Sequence, residues 1–151
     1  MKALQQTTAT KITPTITAKQ FEEKIKNWKE DTTTSPSGRH LGHIQALYKK
    51  FEYKDDDEYA ELDQKRTLIR AVYIAILNYS LKFKYSYHRW QTIANFVMEK
   101  DEGIPKIHRL RVIHILEFDY NLLLSIKWRE LVHHMEDNSL FNENQFGSRP
   151  G

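Results

Sequence analysis

The chain lacks several features, and each absence excludes a class of protein. It has no cysteine, which excludes disulfide scaffolds, thiol nucleophiles, thiolate metal sites and iron–sulfur clusters. Only 5 of its 151 residues are glycine and 4 are proline, so collagen-like structure is excluded. No apolar run approaches the roughly 20 residues of a membrane-spanning helix, and the polar N-terminal stretch has no apolar signal core. We therefore expect an intracellular protein with no membrane partner, in either the nucleus or the cytoplasm.

The residues that are present describe one folded domain with an uneven charge. Hydrophobic residues make up 40% of the chain and aromatic residues 12%, which excludes wholesale disorder. The net charge of +3 combines +5 in residues 1–51, −6 in 52–63, +3 in 64–81, +4 in 82–111 and −3 in 112–151. In the block 82–111, basic residues alternate with aromatic ones, as in surfaces that contact a phosphate backbone and stack on bases. An ordinary solvated face above core aromatics would give the same pattern.

The N-terminal part predicts a lead-in and a first helix. Residues 1–16 are rich in threonine and have no hydrophobic period, which predicts a disordered segment. Thr17 and Gln20 have the spacing of a capping box, and the apolar residues after them fall on one helical face. This predicts a helix from about Ala18 to Trp28.

A loop and a second helix are predicted next. The hydroxyl residues around Pro36 and Gly38 in segment 31–39 predict a turn or loop, in which Ser37 is placed to cap the following element. The apolar stripe after it predicts about three helical turns ending near Phe51.

A charged loop and a long helix follow. The run from Lys54 to Glu58 crowds like charges, which predicts an exposed loop. The strongest hydrophobic period in the chain then predicts a helix from Tyr59 to Phe83 with a buried face. The apolar residues of that face are Leu62, Ile69, Val72, Tyr73, Ile76, Leu77 and Leu81.

The C-terminal half predicts a hairpin, a helix and a loop-like tail. β-branched and aromatic residues in 90–97 and 110–116 are separated by a segment containing Gly103 and Pro105, which predicts two antiparallel strands. Helical spacing returns in 122–135 and ends among polar residues. The predicted fold class is therefore α+β and predominantly helical, with several helices and one two-stranded hairpin.

The chain carries no complete catalytic or metal-binding motif. His40 and His43 could share a helical face, but no third ligand completes a zinc pattern, and His133 and His134 diverge on their helix. A nucleophile elbow and a phosphate-binding glycine loop are both absent from the sequence. We therefore predict no catalytic residue and no metal ligand.

The predicted hairpin does concentrate positive charge. Lys100, Lys106, Arg109 and Arg111 converge on its turn. Arginine offers a planar fork and lysine a point charge for phosphate oxygens, so this placement suits a triphosphate clamp. An ordinary charged hairpin is the alternative.

The order of several motifs resembles one family. W-x-x-I-A-x-x-V-M-E-K is followed by G-I-P, L-R-V-I, D-Y-N and N-x-N-Q-F-G-S-R-P-G. This string resembles the fingers region of the reverse transcriptases, the RNA-directed DNA polymerases, of retroelements. The run DTTTSPSGRHLGH is similar to a segment that precedes the fingers in retroelement polyproteins, so the resemblance covers about residues 28–151.

The resemblance implies a domain plan and roles for matching residues. Residues 17–87 would form a helical N-terminal region and residues 88–151 a fingers fragment. Lys100 and Arg111 would contact the triphosphate of the incoming nucleotide. The residues implied to lie near the template strand are Gln145, Phe146, Gly147 and Arg149. Two positions depart from the family pattern, since Val112 replaces its usual proline and Ser148 its usual phenylalanine.

The resemblance also implies that the fragment is catalytically incomplete. In the family the metal-binding carboxylates of the palm lie downstream of the R-P-G segment. Polymerisation through two metal ions requires these carboxylates. Mg²⁺ and a deoxynucleoside triphosphate (dNTP) are implied for the full-length enzyme and neither for this fragment alone. The implied partners are an RNA template, a DNA primer, and palm and thumb domains. Two alternatives stay open: a degenerate retroelement relic, and a non-catalytic nucleic-acid-binding helical module.

Overall fold

The computed structural model describes residues 12–28, 35–49, 56–103 and 106–141. Within them, the elements are helices α1 (Ala18–Asn27), α2 (Gly42–Ala46) and α3 (Asp56–Phe83), strands β1 (Ala94–Glu99) and β2 (Leu110–Ile115), and helix α4 (Phe118–Asp137). Short 3₁₀ turns occupy His88–Gln91 and Ile107–Arg109. The prediction of a predominantly helical α+β fold is confirmed.

Helix α1 begins as the capping box predicts. The Thr17 hydroxyl accepts a hydrogen bond from the Gln20 backbone N–H at 3.2 Å, and the Gln20 side chain accepts one from the Thr17 N–H at 2.8 Å. These two bonds satisfy donors that a helix start leaves unpaired. Phe21 and Ile25 then lie one turn apart and are both fully buried, so α1 contributes its apolar face to the core.

The last residues of the predicted lead-in are anchored to the helices. Ile16 is buried, its backbone N–H donates to Asn78 Oδ1 at 2.6 Å, and its carbonyl accepts from Asn78 Nδ2 at 3.0 Å. Lys127 Nζ donates to the carbonyls of Thr13 and Thr15 at 2.9 and 2.7 Å. The prediction of disorder is therefore wrong for residues 12–16, because distant side chains satisfy their backbone groups. Residues 1–11 lie outside the described residues.

The turn before α2 forms as predicted, but Ser37 does not cap the helix. Gly38 has a φ of +74° and donates its N–H to the Ser35 carbonyl at 2.8 Å, which closes a tight turn that favours glycine. Ser37 instead donates its N–H and its hydroxyl to Glu117, both at 2.8 Å.

Helix α2 is shorter than the three turns predicted. It covers five residues and begins with Gly42, the poorest helix former after proline. After Ala46 the backbone bonds change to the tighter i→i+3 pattern, as between the Leu47 N–H and the Ile44 carbonyl at 3.0 Å. The Gln45 side chain donates to the carbonyls of Ile25 and Trp28. A side chain of α2 thus provides hydrogen-bond donors for carbonyls at the C-terminal end of α1. Phe51 lies outside the described residues.

Helix α3 begins earlier than predicted and ends where predicted. Its first residue is Asp56, so Asp56, Asp57 and Glu58 are helical and the predicted loop is wrong there. Carboxylates in the first helical turn are stabilised by the positive end of the helix dipole. At the other end Lys84 has a φ of +54° and the Tyr85 N–H donates to the Ser80 carbonyl at 3.1 Å, which closes the helix with a Schellman motif.

The predicted buried face of α3 is only partly buried. Leu77 is 1% exposed, and Tyr73 and Leu81 pack against the core. Ile69 and Val72, however, are 44% and 50% exposed. The correct helical period therefore identified the element, but not how much of its length another element covers.

The two strands form the predicted antiparallel hairpin. The register runs from Ala94 opposite Ile115 to Glu99 opposite Leu110. The first strand begins at Ala94 rather than at Trp90, because Trp90 lies buried in the preceding 3₁₀ turn. None of the described hairpin residues belongs to the main core, and Phe96 and Val97 are 54% and 60% exposed.

Helix α4 supplies the largest share of the core. It starts at Phe118 rather than Leu122 and ends at Asp137, next to the polar residues predicted to stop it. Leu122, Leu123 and Ile126 are buried in the same cluster as the apolar residues of α1 and α2. The helices thus form the body of the fold, with the hairpin between α3 and α4 in the chain.

Candidate nucleic-acid interface

The strand register places Lys100 and Arg111 on one face of the hairpin. Arg111 lies opposite Met98. The Lys100 N–H donates to the Arg109 carbonyl at 2.9 Å, which continues the ladder one pair beyond β1. Side chains alternate between the two faces of a strand, so Lys100 shares the face of Met98 and therefore that of Arg111.

The four basic residues near the turn differ in their pairing. Arg109 forms an ion pair with Asp101, and both side chains are half exposed. Lys100 and Arg111 are exposed, and neither forms an ion pair with a carboxylate of the described ranges. Lys106 is exposed as well. The two residues that the resemblance assigns to the nucleotide are thus adjacent cations on an open surface.

The residues assigned to the template lie beyond the described part of the chain. Gln145, Phe146, Gly147 and Arg149 follow Phe141, the last described residue. Their role remains a prediction from the resemblance.

Four aromatic residues of the block 82–111 form, together with Tyr79, a continuous series of ring contacts. Ring centroids lie 4.6 Å apart for Tyr79 and Phe83, 6.2 Å for Tyr79 and Tyr85, and 5.1 Å for Tyr85 and Tyr87. The series continues through Tyr87 to Trp90 at 4.8 Å. It runs from solvent to core, since Tyr79, Phe83 and Tyr85 are about half exposed and Trp90 is buried.

We call Tyr79, Phe83 and Tyr85 the exposed aromatic cluster. Its surroundings are basic. Between Gln64 and Met98 the sequence has six lysines and arginines and no aspartate or glutamate. Lys82 Nζ lies 5.2 Å from the centre of the Phe83 ring. The two interpretations of the basic aromatic stretch therefore apply to different residues: Trp90 is a core aromatic, whereas the exposed aromatic cluster is available for stacking.

Sequence reasoning missed two buried carboxylates, Glu117 and Asp119, each 1% exposed. Glu117 accepts both hydrogen bonds from Ser37, and the Ser35 hydroxyl accepts one from the Phe118 N–H at 2.9 Å. The S-P-S-G turn thus supplies hydrogen-bond partners for the Glu117 carboxylate and the Phe118 backbone N–H at the start of α4. The signal was present in the sequence as acidic residues just before a helical period, which favours a helix N-terminus.

Asp119 joins the 3₁₀ turn to α4. Its carboxylate accepts a hydrogen bond from Trp90 Nε1 at 2.9 Å and forms an ion pair with Arg89. Burial lowers the pKa of the Arg89 guanidinium, and the Arg39 charge lowers it further, while Glu117 and two tyrosines oppose that shift. The aspartate of the D-Y-N motif therefore positions the segment that leads into β1.

The described residues contain no group of three or more His, Asp or Glu side chains that could hold a metal ion. The rings of His40 and His43 lie 6.4 Å apart in an edge arrangement. Within the same ranges, no helix is both long and apolar enough to cross a membrane.

No protein-family model matches the chain, and no curated protein or solved structure is significantly similar to it.

Proposed function

We propose that this chain is a fingers-type region of a retroelement RNA-directed DNA polymerase, in which the β1–β2 hairpin binds the triphosphate of an incoming nucleotide. The observation that supports this is the placement of two cations, Lys100 and Arg111, on one face of an exposed hairpin, where neither pairs with a carboxylate of the described residues. The motif order leads to the same two residues independently.

The chemistry of the pair suits a polyphosphate. The Arg111 guanidinium can donate two parallel hydrogen bonds to one phosphate group, and the Lys100 ammonium adds a compact charge for a neighbouring phosphate. Because neither cation pairs with a carboxylate among the described residues, binding needs no ion pair of that part of the chain to break. The Arg109–Asp101 ion pair links the two sides of the connection between β1 and β2. In the same proposal Gln145, Phe146, Gly147 and Arg149 contact the template strand.

The proposal concerns binding and not catalysis. In the proposed polymerase, Mg²⁺ and the chemical step belong to the palm carboxylates. No step of the binding argument depends on a metal.

The test is titration of the full chain with a dNTP and with the matching monophosphate. Lys100→Gln and Arg111→Gln should each weaken triphosphate binding by roughly tenfold, because each removes a charge-assisted contact. Monophosphate binding should change less. Lys82→Gln removes the same charge outside the hairpin and should leave triphosphate affinity unchanged. Equal effects of all three variants, or no triphosphate binding by the parent chain, would reject the proposal.

A second function, a non-catalytic module for single-stranded nucleic acid, is favoured by the exposed aromatic cluster beside Lys82. Stacking on aromatic rings contributes about 1–3 kcal/mol per base. On this alternative, an oligonucleotide binds with a steep salt dependence, and Lys100→Ala with Arg111→Ala lowers its affinity equally with and without added nucleotide. A nucleotide-dependent effect of the double variant favours the polymerase function instead.

A further inference from the structure

Helices α1 and α4 enclose a cleft that the proposed function does not use. Its volume is about 370 Å³, within the usual range for small-molecule sites. Charged side chains of both signs line it, together with Asn27 and the apolar Ile126. The charged and titratable lining residues are Glu23, Lys24, Arg129, Glu130 and His133.

Both carboxylates of the cleft already have cationic partners. Glu130 accepts from Lys127 Nζ at 2.8 Å and from the Gln20 side-chain amide. Glu23 lies 3.9 Å from the Lys19 ammonium. Each carboxylate therefore pairs with a lysine that does not line the cleft, and neither forms an ion pair with Lys24 or Arg129.

The two cations have no carboxylate partner in the described part of the chain. Lys24 Nζ lies 5.1 Å from the centre of the Trp28 ring rather than against an acid, and Arg129 forms no ion pair with any described side chain. Burial lowers the pKa of the Lys24 ammonium, and the Arg129 charge lowers it further. Two like charges thus line the same concave site, and a bound anion would relieve their repulsion.

We propose that the α1–α4 cleft binds a small phosphorylated molecule through Lys24 and Arg129. The arginine fork matches two phosphate oxygens, and the lysine ammonium offers a point charge to the third. His133 lies one helical turn from Arg129 and lines the same cleft. The cleft volume leaves room for a group of sugar size beyond the phosphate.

The experiment titrates the full chain with inorganic phosphate and with ribose 5-phosphate, followed by ³¹P NMR and calorimetry. Both probes should bind saturably, and ribose 5-phosphate more tightly. Lys24→Gln and Arg129→Gln should each weaken binding by roughly tenfold.

Lys26→Gln is the matched control, since it removes the same charge from an exposed residue of α1 that pairs with Glu22, and it should bind as the parent does. Arg129→Lys retains the charge and should weaken binding less than Arg129→Gln, which separates loss of the site from loss of the fold.

Three results would overturn the proposal. The first is no saturable binding of either probe, and the second is an equal loss in Lys26→Gln. The third is displacement of ribose 5-phosphate by a single-stranded oligonucleotide whose own binding depends on Lys24 and Arg129, which would assign the cleft to a nucleic-acid backbone. Lys100→Gln and Arg111→Gln should not change ribose 5-phosphate binding, so failure of the hairpin function and failure of this site are distinguishable.

Discussion

At the scale of single residues, the fold depends on a carboxylate that is almost completely removed from water. Asp119 is 1% exposed, and a buried charge is tolerated only when it is paired and hydrogen-bonded. Its partners, Arg89 and Trp90, lie about 30 positions earlier in the chain. One side chain therefore connects the 3₁₀ turn before β1 to the first turn of α4.

Asp119→Asn should lower the free energy of unfolding by about 3 kcal/mol, since it leaves the Arg89 charge without its partner. Urea denaturation followed by circular dichroism measures the change. Asp137→Asn, at an exposed position of the same helix, should change stability by less than about 0.5 kcal/mol. A similarly small change for Asp119→Asn would contradict the argument.

Asn78 provides a second residue-scale prediction. Its amide both accepts from and donates to the Ile16 backbone. Asn78→Asp keeps the acceptor, removes the donor, and places a carboxylate against the Ile16 carbonyl. We expect a loss of about 1–3 kcal/mol and faster proteolysis of the segment before α1. Unchanged proteolysis would show that Ile16 is held by packing alone.

At the scale of elements, the hairpin is the least supported part of the fold. A two-stranded sheet is marginal in water unless another element covers a face, and Phe96, Val97 and Val112 are each more than half exposed. Backbone amides of β1 and β2 should therefore exchange with solvent through local opening, with much lower protection than those of Leu122 and Ile126 in α4. Hydrogen exchange followed by NMR measures this, and equal protection would show that hairpin and helices unfold together.

The helix ends and the turns differ in how far the sequence alone can define them. The start of α1 and the end of α3 depend on contacts within a few residues, namely the Thr17–Gln20 capping box and the Ser80–Tyr85 bond, and both were predictable. The 3₁₀ position of Trp90 and the turn position of Ser37 depend on Asp119 and Glu117 at the start of α4, which lies far away in sequence, and were not predictable.

The two candidate sites also differ in whether the sequence alone could predict them. Alternation along the strands makes a shared face for Lys100 and Arg111 predictable once the pairing of Ala94–Glu99 with Leu110–Ile115 is known. The α1–α4 cleft was not predictable, because Lys24 and Arg129 come together only through helix packing. Likewise, the period of α3 does not reveal that Ile69 and Val72 remain exposed.

At the scale of the whole molecule, the net charge of +3 conceals a strong separation. Residues 64–98 carry six positive charges and no acidic residue, and they include the exposed aromatic cluster. Lysines that contact phosphates release counterions, whereas lysines paired with glutamate on a helix surface are already neutralised locally. The position of a lysine therefore decides its contribution to nucleic-acid binding more than the total charge does.

The salt dependence of oligonucleotide binding tests this separation. The double variant Lys82→Gln with Lys84→Gln should reduce the slope of log affinity against log salt by about 0.7 for each lysine that contacts a phosphate of a single strand. Lys19→Gln with Lys26→Gln removes the same charge from α1, where both lysines face glutamates, and should leave the slope unchanged. Fluorescence anisotropy with a labelled oligonucleotide across several salt concentrations gives both slopes. Equal reductions would mean that the oligonucleotide responds to total charge rather than to a defined surface, and the exposed aromatic cluster would lose its assigned role.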